Sequence, residues 1–189
     1  MTGTAYNLPT GLSIHQAGQP DLNFTANYDT NPFGEDAPYY AYRFSLWSGD
    51  EAWELEHIHH KMFLSNPLPE IGEFMMCHGF NYFFIGHAWK RSGLIFHLGA
   101  GPIVTHPEAE IRGLKYDSEH GGLFDAGYYF SGIGAQATLG KNFYFSKNFY
   151  ALLETTVTAG WAWWVPIPNG SADASNLALH GHFCMGVDL

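Results

Sequence analysis

Apolar and polar positions alternate along the chain in eight runs, at about 21–29, 39–47, 52–62, 74–89, 94–105, 128–145, 149–163 and 177–188, separated by Gly, Pro, Asp and Asn. A period of two places successive side chains on opposite faces of a strand. In the last run Leu177, Leu179, Phe183, Met185, Val187 and Leu189 share a face, against Ala178, His180, His182, Cys184, Gly186 and Asp188. In the first, Leu22, Phe24, Ala26 and Tyr28 oppose Asn23, Thr25, Asn27 and Asp29. In the fifth, Leu94, Phe96, Leu98, Ala100, Pro102 and Val104 oppose His97, Gly99, Gly101 and Ile103. One face of these runs is apolar, and the other mixes small and polar residues.

The connections alternate in length. Those at Ser48–Glu51, Lys90–Gly93 and Ser146–Asn148 are tight, whereas Thr30–Pro38, Phe63–Glu73, His106–Gly127 and Trp164–Asn176 are longer. Long loops at one end and tight turns at the other, with apolar residues outward, predict an all-β fold. The form expected is an eight-stranded antiparallel up-and-down transmembrane β-barrel with long extracellular loops and tight periplasmic turns. It spans 1–189 as one domain, with both termini on the tight-turn side. Turn chemistry sets the registers. A two-residue Gly49–Asp50 hairpin pairs Arg43 with Glu56 and Ser45 with Glu54. A three-residue Arg91–Ser92–Gly93 turn pairs His87 with His97. The Ser146–Asn148 turn pairs Gln136 with Thr158 and Thr138 with Thr156, with Glu154 facing Gly140.

Composition narrows the classes. Aromatics reach 17% and charged residues only 14%, which is unlike a disordered chain. No run approaches the ~18 apolar residues of a spanning helix. Tyr39, Tyr40, Tyr42, Trp47, Trp53, Trp89, Phe143, Tyr144, Phe145, Phe149, Tyr150, Trp161 and Trp163 gather at run ends, where interfacial girdles belong. The net charge of −10 gives no footprint for nucleic acid. Cys77 and Cys184 fall within strands as small fillers and make no disulfide framework. The opening Met1–Thr4 lacks a basic region and apolar core, so the expectation is a mature form without a signal peptide.

The arrangement resembles the small eight-stranded outer-membrane β-barrel proteins, a group that includes the OmpA membrane domain, OmpX and the lipid A enzymes PagP and PagL. The resemblance covers nearly the whole chain and rests on architecture. Such barrels usually finish on an aromatic residue, whereas this chain finishes on Leu189. It implies a monomeric protein of the outer membrane of a Gram-negative bacterium, acting in membrane integrity or surface binding rather than as an open pore. The alternative is an acyl hydrolase or transferase acting on lipid A. No His-x-Ser motif occurs, and Asp117–Ser118 with His106 and His120 is the set to which a loop-side acyltransferase reading attaches.

The expected interior set is Asn23, Asn27, Arg43, Glu54, Glu56, Asn81, His87, His97, Gln136, Thr138, Glu154, Thr156, His180, His182 and Asp188. Eight strands enclose little more than their own side chains, so these residues are expected to pair into a plug. The sequence implies no cofactor. His57, His59 and His78 share outward parity and are the candidate zinc ligands, set against a bland placement in the outer girdle. The acidic residues of the long connections, Glu35, Asp36, Glu70, Glu73, Glu108, Glu110, Asp117, Glu119, Asp125 and Asp173, suit divalent-cation bridges to lipopolysaccharide.

Overall fold

The computed structural model describes residues 1–30, 38–116 and 119–189, apart from the side chain of Cys77. Glu35, Asp36 and the Asp117–Ser118 pair thus lie outside the described residues. There are thirteen strands among the described residues and no helix. They are β1 (Thr2–Leu8), β2 (Thr10–Gln16), β3 (Leu22–Ala26), β4 (Tyr28–Asp29), β5 (Tyr40–Ser48), β6 (Glu51–Leu64) and β7 (Ile71–Arg91). The rest are β8 (Leu94–Thr105), β9 (Glu108–Ile111), β10 (Leu114–Tyr116), β11 (Tyr129–Tyr144), β12 (Phe149–Ile167) and β13 (Gly170–Val187).

Eight of these close a ring by antiparallel pairing, in the order β5-β6-β7-β8-β11-β12-β13-β1 and back to β5. The closing contact is short. Thr2 pairs with Tyr40, and Met1 and Ala41 exchange hydrogen bonds, 2.7 Å from the terminal amine and 3.0 Å to the Met1 carbonyl. Two of the expected registers are those of the ring: Arg43 lies opposite Glu56, and Gln136 opposite Thr158.

Long ring strands, β13 most clearly, divide into two stretches with opposite patterning. Near the tight turns the outer face is apolar and uncovered, with Leu46 80% and Ile85 63% exposed. On β13 this stretch carries Leu177, Leu179, Phe183, Met185 and Val187 outward, while His180 and His182 are buried inside. Toward the far end the pattern inverts. Ser171, Asp173 and Ser175 turn outward while Ala172 and Ala174 are fully buried. There a conventional apolar core forms from Leu12, Ile14, Ile71, Phe74, Met76, Ile111, Val165 and Ile167. The changeover on β12 is marked by a register shift between Ala162 and Val165, with Trp164 at φ 56° and turned outward.

The inverted far end is where expectation and structure part. The run at 21–29 is no ring strand: β3 pairs only with β2, β4 pairs with β6, and Asn23 and Asn27 are exposed. The ring uses Thr2–Leu8 instead, whose inward Gly3 and Ala5 are too small to give a strong alternation. The segments expected as long loops contain strand. Trp164–Asn176 is a hairpin with Ile167 opposite Gly170, and His106–Gly127 contains the β9–β10 hairpin turning at Arg112–Gly113. Arg112 donates to Gln16 Oε1 and the Pro20 carbonyl, both at 2.8 Å, tying that hairpin to the β2–β3 turn.

Tyr82 shows how tightly the ring is filled. From β7 its ring crosses to Gly134 on β11 and Gly160 on β12, where an added Cβ would lie 2.7 Å from Cε1 and 2.8 Å from the hydroxyl. Its hydroxyl donates to Asn176 Oδ1 at 3.0 Å. Gly160→Ala is therefore expected to lower stability by about 1–3 kcal/mol through overpacking, read as a lower urea midpoint. Gly181→Ala, where a methyl meets nothing, serves as the control and leaves the midpoint unchanged.

Candidate functional site

The alternation of β5, β6 and β12 places Arg43, Glu54, Glu56 and Glu154 inside the ring at one level. The Arg43 guanidinium donates to Glu56 Oε1 at 2.7 Å and to both oxygens of Glu154, at 2.7 and 2.8 Å. Its Nε lies 3.8 Å from Glu54. A planar fork of N–H donors suits this bidentate arrangement, which an ammonium would not reproduce. The remaining carboxylate oxygens are also engaged. Ser45 donates to Glu54 Oε1 at 2.6 Å, His97 Nδ1 lies 2.6 Å from Glu54 Oε2, and the Gln136 amide donates to Glu56 Oε2.

The network continues upward through His182, whose Nδ1 lies 3.2 Å from Glu154 Oε1. The buried Tyr39 hydroxyl sits 2.6 Å from His180 Nδ1 and also meets His182 Nε2. Thr158 reaches His180 Nε2 at 2.8 Å, and Thr138 pairs with Thr156 at 2.8 Å. Above these, His60 and Asn176 both donate to Asn7 Oδ1 at 2.8 Å. Buried polar groups without partners cost several kcal/mol (roughly), and the satisfied chain of contacts avoids most of that cost. Trp47, expected in the outer girdle, packs on Ala52, Ala88 and Ile95 near the turn end.

Ten of the expected interior residues thus stand inside: Arg43, Glu54, Glu56, His97, Gln136, Thr138, Glu154, Thr156, His180 and His182. Asn81 and His87 do not. The β7–β8 turn has two residues, with Arg91 opposite Leu94 and both Ser92 and Gly93 at positive φ. That is one residue shorter than the turn chemistry implied, and a one-residue slip moves a strand's side chains to the other face. His87 therefore faces Leu98 and Trp53 on the outer surface, while His97 pairs with Ala88. Asp188 is exposed at the turn end, accepting from Tyr144 at 2.9 Å. Tyr39, expected in the outer girdle, is instead fully buried against His180 and His182, and His60, Asn7 and Asn176 do not appear in the expected set; all four lie at or beyond the level where the patterning inverts.

The histidine tract is divided. His57 stacks on Phe83 and His59 on Tyr40, and both lie within hydrogen-bonding distance of Asn81 Oδ1, at 3.2 and 2.8 Å. His78 belongs instead with His106 and Glu108. The expected His57–His59–His78 trio is therefore not the group of possible ligands that stands together among the described residues. Of the set attached to acyl transfer, His106 takes part in that other cluster and His120 lies exposed, 3.8 Å from Asp125.

Low on the ring, Tyr42–Ser48 and Cys184–Val187 have no ladder between them among the described residues. A cleft of about 850 Å³ lies there, lined by Arg43, Glu54, His97, Asn142 and Tyr150. Arg43 Nε, His97 Nε2 and Asn142 Oδ1, all buried atoms of residues that line the cleft, lack a protein hydrogen-bond partner. No protein-family model, curated protein or solved structure matches the chain.

Removing the guanidinium strands three buried carboxylates. Arg43→Met should destabilise the ring by about 3–5 kcal/mol, seen as a lower urea midpoint. Adding Glu154→Gln to Arg43→Met should recover part of the loss, because one uncompensated charge is then gone.

Proposed function

We propose that the chain is a small transmembrane β-barrel of a bacterial outer membrane, with a plugged polar interior, acting in membrane integrity or surface binding rather than as an open pore. The observation carrying this reading is the inversion on the ring's outer face. Over Leu177–Val187 a strand rises on the order of 25 Å at a tilt of about 40°, close to the height of the lipid-facing band in such barrels. Phe44, Leu46, Leu55, Ile85, Leu98, Ile133, Leu153 and Phe183 all project from this zone. A continuous apolar surface of that kind facing water would drive association. Trp53 and Phe143–Phe145 toward the turns, and Tyr42 and Trp161 toward the changeover, are exposed where aromatic girdles lie.

The interior supports the absence of a pore. Arg43 reaches across the lumen to Glu154, and Tyr82 crosses it to Asn176. Beyond the band the outer face carries exposed Glu70 and Glu73 with half-exposed Glu110 and Asp173. These suit contact with anionic outer-leaflet glycolipid through divalent cations.

Two measurements test the reading. Size-exclusion chromatography should give a monodisperse monomer in detergent and association without it; a sharp monomer in plain buffer would refute the membrane assignment. In planar bilayers the protein should give no steady conductance at neutral pH, and a stable, salt-scaled current would require a water-filled lumen.

A further inference from the structure

The pairing along one edge of β7 breaks between two partners. Phe80 lies opposite Thr105 on β8, and Met75 lies opposite Glu108 on β9. Met76–Gly79 therefore face only His106 and Pro107, so the extra residues of β7 must bulge. Two local features enforce the break. Pro107 has no N–H to pass the ladder onward, and Gly79 takes φ 117°, which disfavours any side chain. The His106 amide donates to the Gly79 carbonyl at 3.1 Å and fixes the junction. Bulges of this kind re-aim side chains, and here the result brings together a residue within β7, one in the β8–β9 link and the first residue of β9.

His78, His106 and Glu108 each offer a ligand atom, all within 4.8 Å of one another. His78 Nδ1 lies 3.6 Å from Glu108 Oε1, and the two imidazole rings have centroids 4.7 Å apart. All three side chains are half-buried, and His106 is braced edge-on against Tyr128 at 4.8 Å. Two imidazoles and one carboxylate are a catalytic-type donor set for zinc, which leaves a fourth position open. Metal–ligand bonds of ~2.0–2.2 Å place tetrahedral donors about 3.3–3.6 Å apart, so binding requires the side chains to draw in by up to about 1.5 Å. The nitrogen donors disfavour Ca²⁺ and Mg²⁺, which select all-oxygen shells.

We infer that His78, His106 and Glu108 form a binding site for a divalent transition cation of the zinc type, on the outer face of the ring where β7, β8 and β9 meet. The site lies beyond Phe83, the last exposed apolar residue on this part of β7. Cation binding is thus measurable whether or not the apolar band is embedded in lipid, and its failure leaves the membrane reading untouched.

The test is isothermal titration of ZnCl₂ into untagged, metal-free protein, with MgCl₂ as comparator. The expected result is one zinc per chain at micromolar affinity or tighter, and no response to magnesium. Glu108→Gln and His106→Ala should each weaken zinc at least tenfold, while His57→Ala should not. Co²⁺ in place of zinc should give visible ligand-field bands that His106→Ala abolishes. Circular dichroism verifies the fold of each variant, and the near-isosteric Glu108→Gln decides the matter if His106→Ala fails to fold. Absence of stoichiometric zinc binding, affinity unchanged in Glu108→Gln, or an equal loss in His57→Ala would overturn the inference.

Discussion

Arg43 stands on β5 and grips Glu154 on β12, which the ring order places across the lumen, while also holding Glu56 on the adjacent β6. Few other side chains have the length and donor geometry to bind two carboxylates from different strands at once. Much of the interior is arranged around that requirement. Glu54, Glu56 and Glu154 must point inward to reach the guanidinium, which fixes the parity of β6 and β12. The opposite parity then carries Leu55, Leu153 and Val157 outward. The polar interior and the apolar exterior are two consequences of one alternation.

Such a cluster is weak evidence for net stability, since desolvation of the charges offsets much of their attraction. Its clearer effect is on register. A slip of β6 or β12 by one residue would point its carboxylate into the apolar exterior and cost Arg43 that partner. The close packing of Tyr82 on Gly134 and Gly160 adds a steric condition to the electrostatic one. Together they admit one alignment of β7, β11 and β12 around the lumen.

Legibility in the sequence followed the turns. Gly49–Asp50 and Ser146–Asn148 have chemistry that settles loop length, so Arg43–Glu56 and Gln136–Thr158 were readable without coordinates. Arg91–Ser92–Gly93 allowed two lengths. The shorter one, with Ser92 itself at positive φ, moved Asn81 and His87 outside. The first ring strand was hidden because Gly3 and Ala5 give almost no amplitude, while Leu22–Ala26 alternates strongly as part of the far-end core. His106 and Glu108 carry no periodic signal that links them to His78. Their meeting depends on Pro107, which lacks a ladder N–H, and on the backbone of Gly79, whose positive φ and carbonyl set the junction.

The pairing that closes the ring also orders its assembly. From β5 to β13 the ring neighbours follow one another along the chain, so several of their contacts form within local hairpins whose loops cost little entropy to close. β1 is different: Thr2 pairs with Phe183 and Leu8 with Leu177, nearly the whole chain apart. That long-range contact cannot form before β13 exists, and the β1–β5 seam it delivers rests on a single residue pair and the hydrogen bonds of Met1 and Ala41. An open, curved sheet with Tyr39, His180 and His182 uncovered at its edges is therefore the natural precursor. The join that completes the polar interior is also the place where the ring comes apart most cheaply.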